Sequence, residues 1–262
     1  MQKKINREGQ EAAQIFNDRN LDSDYPTIKP LLREGMKILD IGCGTGAITK
    51  DIAKLIGSTG KIIGIDNTLD FINNGKLRYA EYKNMELIHA DLFDYKPQEK
   101  FDLIICARVV QWLYNPLEAI EKMKSFLESN GILSVLDYNH EKIEWNPSPP
   151  ISMLKFYNTF LKWREEAGMD NCIADNLKEY FSEAGIENIE VNNSDEYYDK
   201  NSHNFKSKVG VWTKVAGSSQ MVEEGYLDDD LRINTILEYE KWTENEAISM
   251  TMKLNEVRGI SR

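Results

Sequence analysis

Three glycines on alternate positions, Gly42, Gly44 and Gly46, constrain this chain more than any other feature. They close a largely apolar run, residues 36–41, and stand just before a helical pattern of Ala47, Ile48, Ile52, Ala53, Leu55 and Ile56. Strand, tight glycine-rich turn and helix form the opening unit of a nucleotide-binding α/β fold. Residues without Cβ let the chain turn sharply and let a ligand lie against the backbone. The turn also aims the first helix amides at whatever binds there.

A second short strand, residues 61–66, ends in Asp66, 20 positions after Gly46. A carboxylate at such a strand tip accepts hydrogen bonds from both ribose hydroxyls. Helix is expected over 69–82, with Asn67 or Thr68 at its N-cap. Strands follow at 86–90 and 101–107, and then a helix from Pro116 that Asn130-Gly131 should terminate. A fifth strand is expected over 131–137, a helix over 173–184 capped by Gly185, and a sixth strand over 186–191. The alternation of Ile248, Met250, Met252 and Leu254 suits a seventh strand over 247–257. His89 reads as a packed strand histidine. The fold class is therefore α/β: a doubly wound, mostly parallel seven-stranded sheet with helices on both faces, plus helical insertions. Glycines and Asp66 fit two ribose-containing cofactors equally, because Gly42-Cys43-Gly44-Thr45-Gly46-Ala47 also satisfies the dinucleotide fingerprint G-x-G-x-x-G/A.

A formal charge of −11 argues against a nucleic-acid partner, which needs clustered Lys and Arg. Three widely spaced cysteines, Cys43, Cys106 and Cys172, form no C-x-x-C, so neither a disulfide framework nor a metal site is expected. The first residues lack a signal-peptide h-region, and no run approaches the length of a membrane span, so the expected location is the cytoplasm.

The run Ile38-Leu39-Asp40-Ile41-Gly42-Cys43-Gly44-Thr45-Gly46 resembles motif I of the class I S-adenosylmethionine (SAM)-dependent methyltransferases, an acidic residue followed by G-x-G-x-G. Two later elements share this resemblance. Asp91-Leu92 after the third strand is similar to the family's aspartate–apolar pair, and residues 101–113 look like its fourth-strand signature. The resemblance covers residues 36–138. It implies a Rossmann-like fold and SAM as cofactor, with S-adenosylhomocysteine as product. It also implies that Asp40 lies near the methionine amino group, with Gly42, Cys43, Gly44 and Gly46 under the cofactor. Asp66 and Asn67 would then hold the ribose, Asp91 and Leu92 the adenine, and Ala107 and Arg108 the end of the fourth strand. Two positions depart from the pattern. Gln111 stands where His is frequent and cannot act as a base near neutral pH, and Arg108 stands where a small residue is common. Arg108 would contact the cofactor or an anionic acceptor.

The expected organisation is an N-terminal helical cap (1–35), a SAM-binding core (36–140), a helical lid insertion (141–172), and a C-terminal part of the core (173–262) interrupted by helices at about 195–245. In the cap, a helix over 7–19 is expected; the resemblance implies that it folds over the cofactor, where Arg7, Asn17 or Tyr25 would reach the methionine carboxylate. Methyl transfer from a sulfonium needs proximity, alignment and exclusion of water, and a base only if the acceptor must lose a proton. His140 is the candidate general base, with Tyr138 or Glu141 as substitutes, and Gln111, Trp112 and Tyr157 are candidates for the acceptor pocket. The function read from these residues is methyl transfer from SAM to a small-molecule acceptor. The alternatives are an NAD(P)-dependent oxidoreductase and a non-catalytic SAM-binding regulatory domain. The sequence is silent on oligomeric state.

Overall fold

Residues 38–41, 62–65 and 103–106 carry almost no polar side chains because they form the inner strands of a parallel sheet covered on both faces. The computed structural model describes Asn17 and residues 19–262. Arg7 and most of the helix expected over 7–19 therefore lie outside the described residues. Two compact units divide the described chain.

The core unit contains residues 19–137, Ile173–Ser194 and Asn255–Arg262. Its strands are β1 (Lys37–Ile41), β2 (Lys61–Asp66), β3 (Met85–His89), β4 (Phe101–Ala107), the first part of β5 (Leu127–Asn146), β6 (Glu187–Asn193) and the last part of β8 (Ser249–Ile260). Their order is β3-β2-β1-β4-β5-β8-β6. The first five run parallel and β8 is antiparallel to β6. Helices α2 (Ala47–Leu55), α3 (Leu69–Arg78), α4 (Pro116–Lys124) and α6 (Ile173–Glu183) supply apolar faces, of which Ile52, Phe71, Ile120 and Leu177 are buried. Ahead of β1, a short helix α1 (Leu21–Asp24) and a 3-10 turn (Pro26–Leu31) bury Leu21, Tyr25 and Ile28.

Several boundaries differ from expectation; α3, for one, ends at Arg78 and not at 82. Asn130-Gly131 does not end helix α4, which stops at Lys124; the pair lies inside β5. Phe101 is in register with Leu127 but Leu103 with Ile132, so extra residues of β5 are absorbed there. Asn130 takes a left-handed φ of 65° at this irregularity, as residues in bulges do. A left-handed Asn-Gly signals a reversal of local geometry, and that serves a bulge as well as a helix end.

The second unit contains Tyr138–Cys172 and Asp195–Leu254. The insertion expected to be helical from residue 141 begins as strand, because β5 continues to Asn146. An additional strand β7 (Glu196–Asp199) pairs antiparallel with Ser249–Met252 of β8, which gives eight strands among the described residues rather than seven. Ile248, expected on the buried face, precedes the strand and is exposed, whereas Met250, Met252 and Leu254 are buried. Helix α5 (Ile151–Glu166) packs on α10 (Asp229–Asn245), and α7 (Phe205–Val209), α8 (Val211–Ala216) and α9 (Gln220–Glu223) complete the unit. Its interior is aromatic: Trp212 stands edge-on to Tyr157 at 4.8 Å, and Trp145 edge-on to Tyr157 at 5.0 Å. Such pairs add specific geometry to the burial of large rings.

Candidate active site

β1 delivers Asp40 and ends because Gly42 turns the chain with φ of 70°. A Cβ at Gly42 would lie 2.1 Å from Cγ2 of Val109, so the neighbouring strand's exit leaves no room for a side chain. The amides of Gly42 and Cys43 both donate to the carbonyl of Ile65, at 2.8 and 3.1 Å, and tie the turn to the tip of β2. Gly46 enters α2 from a left-handed φ of 82°. The result is a backbone cradle at a helix N-terminus, suited to a polar ligand.

Two carboxyl groups flank the cradle. Asp66 accepts from the amide of Gly44 through Oδ2 at 2.9 Å and from the amide of Thr68 through Oδ1 at 2.8 Å. Each oxygen keeps a lone pair for a further donor. Asp40 is 5% exposed and accepts from the Thr49 hydroxyl at 2.5 Å. Burial pushes its carboxyl up to about 7; the Thr49 hydrogen bond opposes this and the charge of Asp66 adds to it. A buried carboxyl poised there is stabilised in its charged form by a cation. Tyr25, Arg19 and Ala107 line the same cleft as Asp40, Gly42 and Cys43. Burial pushes the Cys43 thiol well up, so it is no nucleophile.

Further along the strand ends, Asp91 accepts from the amide of Phe93 at 2.9 Å and Leu92 is buried in the core cluster. Asn67 is exposed, and its carbonyl lies 3.2 Å from Nε2 of His89. His89 is itself exposed rather than packed, since β3 is the outermost strand of the core sheet.

Residues 32–198 match the model of a family described as a methyltransferase domain, well over half of the chain. The chain belongs to the class I SAM-dependent methyltransferases. It is 32% identical to a demethylmenaquinone methyltransferase of Staphylococcus aureus over 107 residues, 40% of this chain and 44% of that protein. It is 29% identical to malonyl-[acyl-carrier protein] O-methyltransferase 2 of Ilyobacter polytropus over 136 residues, 50% of this chain and 52% of that one. The matched stretch thus spans about half the length of these curated relatives. Among solved structures, a SAM-dependent methyltransferase from Aquifex aeolicus shares the fold, with a TM-score of 0.55, 17% identity and coverage of 99% of this chain and 100% of that one. Family membership decides between the two cofactors that the glycines left open, in favour of SAM.

Within this methyltransferase fold, several expected site residues also have structural duties. Arg108 takes a left-handed φ of 62° at the end of β4 and turns its guanidinium inward, Nη2 donating to the carbonyl of Asp24 at 3.0 Å. Gln111 is 2% exposed; its amide donates to Oδ2 of Asp137 and its side chain to the carbonyl of Arg108. It holds the turn after β4. Trp112, on the same turn, is half-buried.

His140, Tyr138 and Tyr157 belong to the second unit. The imidazole of His140 is 4% exposed, lying near Tyr138, Phe160 and Trp212, and its backbone N–H and carbonyl are engaged by Asn171 and the Tyr157 hydroxyl. Burial and the Arg164 charge hold its pKa well below the ordinary value. A base so weakened takes up protons poorly at neutral pH. Tyr157 is likewise core, and burial pushes its phenol up. Tyr138 is half-buried, its hydroxyl 3.4 Å from Oε2 of Glu196.

Sequence reasoning passed over Thr49, Val109, Asp137, Ser134 and Glu256. The last two carried a legible signal. Ser134 interrupts the apolar residues of β5, and Glu256 continues the apolar alternation Met250, Met252, Leu254. The period of two therefore places a carboxyl among buried side chains.

Proposed function

We propose that this chain transfers a methyl group from SAM to a small-molecule acceptor. The observation that carries the reading is the pairing of the Gly42–Gly46 cradle with two carboxyls of opposite character, Asp66 accepting backbone amides and Asp40 buried with a pKa near 7. The cofactor supplies a methyl on a positively charged sulfur, which leaves as neutral S-adenosylhomocysteine when the acceptor attacks in line. Asp40 meets the cationic methionine end, where a buried carboxyl gains most from a positive partner. Asp66 takes the ribose hydroxyls on its remaining lone pairs. Asp91 and the Leu92 amide take the adenine edge. Gly42, Cys43, Gly44 and Gly46 let the cofactor lie on the backbone, and Asn67, Ala107 and Arg108 border it. Family membership and the motif order support these assignments.

The net charge of −11 supports an acceptor that is not a polyanion. The depressed pKa of His140 supports transfer by alignment and water exclusion without a side-chain base. Residues 141–172 and 195–245 are the candidate lid. Among the described residues, no helix is long and apolar enough to cross a membrane.

Calorimetric titration with S-adenosylhomocysteine and, separately, NAD⁺ tests the cofactor. Binding of the first alone is expected, and binding of NAD⁺ alone would overturn the reading. Transfer of labelled methyl from SAM to a panel of small molecules tests the activity. Tight cofactor binding with no transfer to any acceptor class would favour a regulatory domain.

A further inference from the structure

One face of the core sheet carries three polar side chains, Ser134, Glu256 and Asn192, that the proposed chemistry leaves unused. Residues in register on neighbouring strands point to the same face. The register runs Gly64, Asp40, Ile105 and Ser134 across β2, β1, β4 and β5. Ser134 extends the row to β8 by donating to Oε1 of Glu256 at 2.5 Å. Glu256 is in register with Asn192 of β6, whose Nδ2 donates to Oε2 at 2.6 Å. Ser134 and Glu256 are both 0% exposed. A fully buried carboxyl in a sheet interior is costly, and here it is held by two hydrogen bonds.

The row ends on Tyr25. Its phenol oxygen lies 2.8 Å from Oγ of Ser134. Ser134 has a single proton and gives it to Glu256, so the phenol donates to the serine. Three groups then form one directed chain, Tyr25 to Ser134 to Glu256. Tyr25 is fully buried from solvent and lines the cleft beside Asp40, Gly42 and Ala107. The segment that carries it is also held at Asp24 by Arg108 and at the amide of Leu21, 3.2 Å from Oδ2 of Asp51. Both of those contacts grip backbone. The contact to Ser134 is made by the tip of the Tyr25 ring.

We propose that Glu256 is a positioning residue for the cofactor: through Ser134 it fixes the Tyr25 ring as the wall of the SAM cleft. This deepens the cofactor reading above and rests on it. Glu256 stands 231 positions after Tyr25 in the chain, so the C-terminal strand would set the shape of a site built from the N-terminal half. Groups facing the carboxyl are Ser134, Asn192, Arg258 and Glu190; burial raises its pKa, the first three lower it and Glu190 raises it.

The test is a double-substitution cycle on the full chain, read as the dissociation constant of S-adenosylhomocysteine by calorimetry, with thermal unfolding followed in parallel. Glu256→Leu removes the acceptor and is expected to weaken binding roughly tenfold, the scale of one well-placed hydrogen bond. Glu256→Gln keeps an acceptor oxygen for Ser134 and is expected to bind within about twofold of the unaltered chain. In the Tyr25→Phe background, Glu256→Leu is expected to cost nothing further, because the phenol it acts through is gone. Ser134→Ala cuts the chain at its middle and replaces Glu256→Leu in the cycle if the latter folds poorly. Additive losses in the two backgrounds, or equal losses for Leu and Gln, would reduce Glu256 to a packing role and overturn the inference. No binding of S-adenosylhomocysteine by the unaltered chain would overturn the cofactor reading and this inference together.

Discussion

The hydroxyl of Thr49, on the first turn of α2, donates to the buried carboxyl of Asp40 on β1 at 2.5 Å. This contact joins the strand before the glycine turn to the helix after it. It also lowers the pKa of a carboxyl that burial pushes up to about 7. On the proposed cofactor role of Asp40, cofactor binding and proton release are coupled at this residue.

The unliganded protein should therefore lose stability as pH rises from about 4 through about 7. A carboxyl whose pKa is raised in the fold contributes stability that is complete below its unfolded pKa and is lost progressively as the pH rises to the folded value. The contribution is at most about 4 kcal/mol for a shift of this size. Asp40→Asn should flatten the dependence and unfold at a higher temperature than the unaltered chain at pH 8. Thermal unfolding at pH 5 and pH 8 measures this, and identical pH slopes for the two proteins would remove Asp40 as the titrating group. SAM, which brings positive charge, should bind with release of a proton near pH 6.5; calorimetry in two buffers of different ionisation enthalpy reads that proton directly.

Gly42→Ala should fold poorly and lose cofactor binding. An alanine there meets both a left-handed φ of 70° and Cγ2 of Val109 at 2.1 Å. Backbone strain alone costs about 1–2 kcal/mol, and the overlap adds to it. Val109→Ala in the same chain relieves the overlap but not the strain, so it should recover part of the unfolding temperature. Full recovery would show that φ is not limiting at this position.

Asp66→Ala should weaken S-adenosylhomocysteine by more than about tenfold and destabilise the unliganded chain by about 1–3 kcal/mol, since the amides of Gly44 and Thr68 lose their acceptor. Asp66→Asn retains one acceptor oxygen and should recover stability more than affinity. Calorimetry beside urea unfolding separates the two effects; equal recovery of both would mean that the carboxylate holds the loop and not the ribose.

Much of the core was legible because its signals are local. An apolar run followed by alternating glycines, and a carboxylate at a strand tip, report their geometry within a few residues. The parallel strands β1, β2, β3 and β4 fall where the pattern put them, to within a residue. What failed was non-local. Asn130-Gly131 carries the same signature in a bulge as at a helix end, and only the pairing of β4 with β5 distinguishes the two. Arg108 and Gln111 sit in a signature segment whose pattern does not reveal that their side chains also bond the carbonyl of Asp24 and the turn itself. The aromatic stretch of α5 was as consistent with a pocket as with a core, and Phe156, Tyr157, Phe160 and Trp163 are all buried.

His140 provides the last prediction, because its two possible roles have opposite pH signatures. Its ring is buried, and desolvation, with the Arg164 charge behind it, holds its pKa well below the ordinary value. A histidine depressed in the fold contributes stability that is complete above its unfolded pKa of about 6.5 and is lost as pH falls toward the folded value, at no more than about 1.4 kcal/mol per pH unit. Acidification from pH 7 to pH 5 should therefore loosen the second unit, and His140→Phe should make that unit less sensitive to acid. Trp145, Trp163, Trp212 and Trp242 all lie in this unit, so tryptophan fluorescence during urea unfolding reports on it. Turnover in the Phe variant should persist wherever the variant is folded, since a neutral buried ring contributes packing and not proton transfer. An unchanged acid slope together with lost turnover in a folded His140→Phe protein would instead restore His140 as the general base.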